Sequence, residues 1–246
     1  MLLFKATLLG FVVGISGTLI GGLLILYRFS NSLSKQSWML GFSGGIMVAV
    51  VLFDLWPEAF HFGGIVPLII GSGIGMLLVK YFDKILRTIS WYREHGFSKL
   101  IKVGIMLGVG IGVHNFPEGV ALGTTYAASS NINGWLSLAL LMGLHNIPEG
   151  MVMASAFKLG RVRTKKIILA LFCVEIPMAL GGTVGAFLGQ LSPAMVSLAL
   201  SFAGGAMFLL VGQELLPMAK RLAGILAVGS GFAVGILVGI ILIQFT

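Results

Sequence analysis

Cysteine is almost missing: Cys173 is the only one in 246 residues. That excludes an intramolecular disulfide and every multi-cysteine metal site. Charge is also scarce, at 10% of residues, against about 25% in a soluble domain. A chain so poor in charge cannot clothe a water-facing surface. Alternating apolar and polar strand patterns are lacking too, so an outer-membrane barrel is not expected. What the chain does have is apolar bulk: 57% hydrophobic residues, 36 glycines and a mean hydropathy of +1.04. This content excludes the disordered and fibrous classes and reads as an integral membrane protein. The formal charge of +8 is first a matter of membrane topology, and nucleic acid is not an expected partner.

A helix needs about 20 apolar residues to cross the hydrocarbon core. Such runs fall at 6–27, 38–58, 63–82, 100–126, 134–157, 166–189, 194–217 and 222–244. The expectation is an all-α integral membrane protein with eight transmembrane helices in one domain, 1–246. The first run has only Lys5 as a basic start and no clear cleavage site, so it reads as a mature helix rather than a signal peptide.

Basic residues then orient the bundle. They cluster as Arg28 and Lys35; as Lys80, Lys84, Arg87, Arg93, Lys99 and Lys102; as Lys158, Arg161, Arg163, Lys165 and Lys166; and as Lys220 and Arg221. With eight spans, fifteen of the sixteen lie on one side and Lys5 lies alone on the other. The positive-inside rule makes the first side cytoplasmic and sends the N- and C-termini outside. A multi-pass protein of the plasma (inner) membrane is expected. The cytoplasmic loop 83–99 mixes Ile85, Leu86, Ile89, Trp91 and Tyr92 with Lys and Arg. It reads equally as a helix on the anionic leaflet or as a solvated loop.

Six of the eight acids, Asp54, Glu58, Glu118, Glu149, Glu175 and Glu214, fall in or at the ends of spans. A carboxylate at the bilayer centre costs about 3 kcal/mol or more. No Lys or Arg stands in the middle of any span to pair with it. Neutralisation by a proton, or by a cation that comes and goes, is what remains.

Spans four and five carry one string twice. His114, Asn115, Phe116, Pro117, Glu118 and Gly119 are echoed by His145, Asn146, Ile147, Pro148, Glu149 and Gly150. At ~100° per residue, His and Glu four apart lie ~40° apart on one helix face, with Asn toward the same side. Each proline removes a backbone donor and frees a carbonyl near Val113 or Leu144. The terminal glycines permit close helix approach. If the two helices face each other, two imidazoles, two carboxylates and two amides converge. That nitrogen and oxygen set suits Zn²⁺, and also Fe²⁺, Mn²⁺, Co²⁺ and Cd²⁺.

These motifs resemble those of the ZIP (Zrt/Irt-like) family of divalent-metal transporters, in its ZupT-like bacterial branch, and the likeness covers essentially the whole chain. On span six, Glu175, Ile176 and Pro177, followed by Gly181 and Gly182, resemble the family's acidic-Pro-Gly segment. Met47 on span two matches a position where methionine can be a ligand. The resemblance implies one metal held by His114, Glu118, His145 and Glu149, with Met47 as a further donor. It implies a second at Asn115, Asn146 and Glu175, with Glu118 and Glu149 bridging. Import into the cytoplasm is likewise implied by the family. No prosthetic group is expected; the ion is the substrate. The partners are that ion and the lipid bilayer, and a homodimer stays open.

The sequence also repeats itself. At a constant offset of 160, Phe42, Gly44, Gly45, Met47, Asp54, Leu55, Pro57 and Ala59 meet Phe202, Gly204, Gly205, Met207, Glu214, Leu215, Pro217 and Ala219. In the expected topology span two runs outward and span seven inward, so spans 1–3 and 6–8 form an inverted repeat around a central pair, a 3+2+3 plan common in secondary transporters. Asp54, Glu58 and His61 then stand at the outer mouth and Glu214 at the inner one. Glycines 14, 17, 21 and 22 in span one read as simple packing. The alternative function is an intramembrane zinc-dependent metallohydrolase, but the usual H-E-x-x-H helix string does not occur. No catalytic residue is expected. A metal-sensing receptor is disfavoured, because no effector domain is present.

Overall fold

The computed structural model describes residues 1–27, 32–88, 99–128 and 132–244. Among these residues the chain is helical almost throughout and has no strand. Helix is what hydrocarbon demands, because each backbone N–H and C=O must be satisfied within the segment. The first helix, α1, is Leu2–Tyr27. Then α2, Leu33–Val50, continues through a π-turn, Val51–Leu55 (π1), into α3, Trp56–Gly63. Next come α4, Ile65–Thr88; α5, Lys99–Ala128; and α6, Ile132–Leu159. They are followed by α7, Thr164–Cys173; α8, Ile176–Gly189; and α9, Pro193–Leu210. A second π-turn, Val211–Leu215 (π2), leads into α10, Leu216–Gln244.

Six stretches of the described residues are long and apolar enough to cross a membrane: Leu2–Tyr27, Leu33–Gly63, Trp135–Leu159, Thr164–Gly189, Pro193–Gln213 and Leu216–Gln244. Helix α4 adds a shorter apolar stretch, Ile65–Tyr81. The expected loop 83–99 begins later than its sequence suggests, since α4 runs on to Thr88. The rest of it, with His95, lies outside the described residues.

The expected run 166–189 is not one uninterrupted helix. Val174 and Glu175 form a turn between α7 and α8. Pro177, in the first turn of α8, has no N–H to return to the Cys173 carbonyl, so the ladder tightens there. Glu175 N–H instead reaches back only three residues, to the Phe172 carbonyl at 3.3 Å. A second break interrupts α10 at Ala223 and Gly224. Gly224 has φ 83°, and Gly64, between α3 and α4, has φ 74°. Only glycine adopts such angles without steric cost.

Those two glycines are 160 residues apart, and so are the two π-turns. The same offset governs the packing. Helix α2 lies along α10 as α9 lies along α4. Gly45 closes on the Phe232 carbonyl, and its twin Gly205 on that of Ser72. The Ser37 hydroxyl donates to the Ala219 carbonyl at 2.7 Å, and Ser197 donates to Ala59, also at 2.7 Å. The two halves are therefore laced by matching contacts, each reaching into the other half.

Around the doubled motif the rule holds again. Helix α1 packs on α6, and α8 on α5. Gly150 abuts the Thr18 carbonyl, and Gly119 abuts that of Met178, the residue 160 positions after Thr18. Gly21 abuts the Ile147 carbonyl, and Gly181 that of Phe116. At the far end of α1, Lys158 Nζ donates to the Ile25 and Leu26 carbonyls at 2.6 and 3.1 Å. These are carbonyls that a helix C-terminus leaves without a partner.

A methyl at Gly119 or Gly150 would overlap a backbone oxygen of the facing helix, where no rotamer change can relieve it. Gly119→Ala and Gly150→Ala should each cost on the order of 1–3 kcal/mol and lower the thermal unfolding temperature in detergent. At Gly73 a methyl meets nothing within 4 Å, so Gly73→Ala should leave that temperature unchanged or slightly raised.

Candidate metal centre

Both motif strings are helical, 114–119 on α5 and 145–150 on α6, and each helix continues past its internal proline, Pro117 or Pro148. The glycine contacts just described press α1 onto one string and α8 onto the other. Asn115, Glu118, His145, Asn146, Glu149 and Glu175 all end up with no more than 1% of their surface exposed.

His145 and Glu118 join the two strings. His145 Nδ1 lies 3.1 Å from the Leu141 carbonyl one turn back, and Nε2 lies 3.0 Å from Glu118 Oε1. A carbonyl only accepts, so Nδ1 carries a proton and Nε2 is the nitrogen that faces the carboxylate. Two lone pairs do not face each other at 3.0 Å without a proton or another cation between them. The pair is a buried imidazole–carboxylate contact that joins the two strings.

Glu175 sits in the turn between α7 and α8. Asn115 Nδ2 donates to its Oε2 at 3.0 Å and to the Val174 carbonyl at 2.9 Å. Oε1 accepts from the Thr18 hydroxyl of α1. On the other side of the cluster, Ser43 Oγ of α2 shares its one proton between Glu149 Oε1 at 3.2 Å and the His145 carbonyl at 3.1 Å. Several polar atoms stay without a hydrogen bond while fully buried: Glu118 Oε2, Asn115 Oδ1 and both amide atoms of Asn146. Each such atom costs about 1–3 kcal/mol, more when charged.

Sequence reasoning missed Thr18 and Ser43. The one signal was position: Thr18 stands in the glycine run of α1, and Ser43 directly precedes Gly44 and Gly45. The glycines of that run also do more than pack. A methyl at Gly14 would occupy the place of Glu175 Oε2, and one at Gly17 would lie 2.8 Å from Asn146 Cβ. Met47 is buried on α2, one turn beyond Ser43. The side chains of His114 and Glu214 lie outside the described set, although their backbones belong to α5 and π2. Among the described residues, no three His, Cys, Asp or Glu side chains gather closely enough to hold a metal unaided. Amides and hydroxyls complete the cluster.

Asp54, in π1, and Glu58, in α3, line a cavity of about 320 Å³ with Ser137 and Leu141. Leu141 is also the residue whose carbonyl accepts from His145. His61 is not among the lining residues; its ring packs edge-on against Phe62 at 5.8 Å. In both π-turns a backbone N–H reaches five residues back: Trp56 to the Val51 carbonyl, and Leu216 to that of Val211. A larger cavity, about 670 Å³, is lined by apolar residues and Cys173.

A helical, multi-pass membrane protein with a buried imidazole, carboxylate and amide cluster is what fold and site define. No family model matches the chain. Curated relatives do. Zinc transporter ZupT of Escherichia fergusonii is 33% identical over 218 residues, 84% of each chain. The proteins of the same name in Salmonella heidelberg and Salmonella newport are also 33% identical over 218 residues. The chain belongs to the ZupT-like branch of the ZIP family.

Gly14→Ala would push the Glu175 carboxylate off Asn115 and Thr18. Zinc uptake per folded molecule, measured in proteoliposomes, should fall about tenfold, in the range seen when the supports of metal ligands are removed. Gly22→Ala meets only the end of the Leu171 side chain and should keep most of its uptake.

Proposed function

We propose that this chain carries divalent metal ions across the plasma membrane into the cytoplasm, with Zn²⁺ first and Fe²⁺, Mn²⁺, Co²⁺ and Cd²⁺ as further substrates. The carrying observation is the His145–Glu118 contact at 3.0 Å, a buried slot that requires a positive charge, with orphaned oxygens around it. Relatives named as zinc transporters support the same substrate. His114, Glu118, His145 and Glu149 form the first ligand set, with Met47 behind Ser43. Asn115, Asn146 and Glu175 form the second. No comparison supports an intramembrane metallohydrolase.

The chain crosses the membrane eight times in a 3+2+3 plan with both termini outside. The basic residues of alternate connections support this, and so do the contacts repeated at 160 residues. Asp54 and Glu58 receive the ion outside, His61 stands near them, and Glu214 releases it within. One chain supplies every ligand, so a homodimer would add a packing surface rather than donors.

Two expectations test this reading. Glu118→Gln and Glu149→Gln each keep the size of the side chain and remove its charge, so zinc uptake should collapse while the protein still inserts; native uptake by both would sink the assignment. Protons also compete with the metal for imidazole and carboxylate, so acidification should weaken zinc binding measured in detergent; binding unchanged between neutral and mildly acidic pH would count against histidine ligation.

Topology has its own test, since Cys173 is the only native cysteine. In a Cys173→Ser background, Asp54→Cys should react with an impermeant thiol reagent from outside and Glu214→Cys only from inside. Zinc should slow both reactions. Reversed sidedness would overturn the orientation, and unprotected reactions would remove both residues from the path.

A further inference from the structure

Thr18 is fully buried in the middle of α1. A hydroxyl in a helix commonly returns its proton to the carbonyl four residues back. On this same helix Thr7 does so to Leu3 at 2.8 Å and Ser16 to Val12 at 2.5 Å. Thr18 instead sends its proton across to Oε1 of Glu175. Asn115 occupies the other oxygen, and Gly14, one turn before Thr18, leaves the room in which that oxygen sits. Three residues from two helices, α1 and α5, thus converge on one carboxylate.

The repeat provides an internal control. The residue 160 positions after Thr18 is Met178, and the one 160 positions before Glu175 is Ile15. Both are buried and apolar, and the Met178 carbonyl meets Gly119 as the Thr18 carbonyl meets Gly150. The repeat therefore buries apolar side chains at the two positions whose counterparts are a hydroxyl and a carboxylate in contact. Burying the polar pair costs more than burying the apolar one, so packing alone does not account for it.

We propose that Thr18 is a positioning residue for metal transport. Its hydroxyl, together with Asn115, fixes the position of the Glu175 carboxylate, and this sets the affinity for the ion. The proposal rests on the reading of Glu175 as a cation ligand. It assigns to α1 a part in ion binding, although α1 supplies no ligand itself.

Thr18→Val keeps the shape and removes the hydroxyl, whereas Thr18→Ser keeps the hydroxyl. Both are made in the native chain and in Glu175→Gln. Uptake of zinc ion into proteoliposomes is measured against concentration and normalised to folded protein. Thr18→Val should raise the zinc KM about tenfold with the maximal rate within about twofold, and Thr18→Ser should restore it. In the Glu175→Gln background, where KM is already raised, Thr18→Val should add nothing, because residues acting through one group are not additive. A native KM in Thr18→Val with a raised one in Glu175→Gln overturns the positioning role alone. A native KM in Glu175→Gln overturns the ligand reading and the proposal with it. A loss of folded protein at unchanged KM, or effects that multiply in the double variant, shows Thr18 to be only a packing residue.

Discussion

Helix backbones in direct contact, with only a glycine hydrogen between them, are what the rest of this molecule depends on. In hydrocarbon no hydrophobic force draws helices together, so close packing and polar contacts must do it. Here Gly119 and Gly181 bring α5 and α8 together, and Gly150 and Gly21 do the same for α6 and α1. The resulting seams are narrow enough to exclude lipid and water from the motif strings. That exclusion gives the buried carboxylates their cost, and so their demand for a cation. Were the seams wider, Glu118 and Glu149 would be ordinary solvated acids.

Much of this was legible in the chain. Apolar runs of about 20 residues announce the helices, because length and hydropathy are local properties. The doubled string announces a buried polar cluster, since His, Asn and Glu at those spacings share a face whatever the partner. Two kinds of feature were not legible. The break at Val174 and Glu175 follows from Pro177, yet Pro117 and Pro148 leave their helices continuous, so proline alone does not tell a break from a tolerated defect. The supports of the ligands come from distant helices: Thr18 reaches Glu175 across 157 positions and Ser43 reaches Glu149 across 106. Nothing periodic in the sequence relates such pairs. The glycines of α1 were read as packing, and they do pack; that two of them also shape the cluster depends on which helix lies opposite.

The repeat is close in backbone and loose in chemistry. Its π-turns, its positive-φ glycines and its serine bonds coincide at one offset. The polar residues of the cluster do not, for Ser43 answers to Ala203 and Glu175 to Ile15. Symmetry thus supplies the scaffold, and departures from it supply a site with distinct sides. A strictly symmetric cluster would present the same donors in both directions.

The short contact between His145 and Glu118 also bears on membrane voltage. Were that contact to take a proton whenever it gave up a metal ion, two charges would enter with the metal and one would leave with the proton. An inside-negative potential of 100 mV would then contribute about 2.3 kcal/mol to each such cycle, half of what an unescorted divalent ion would gain.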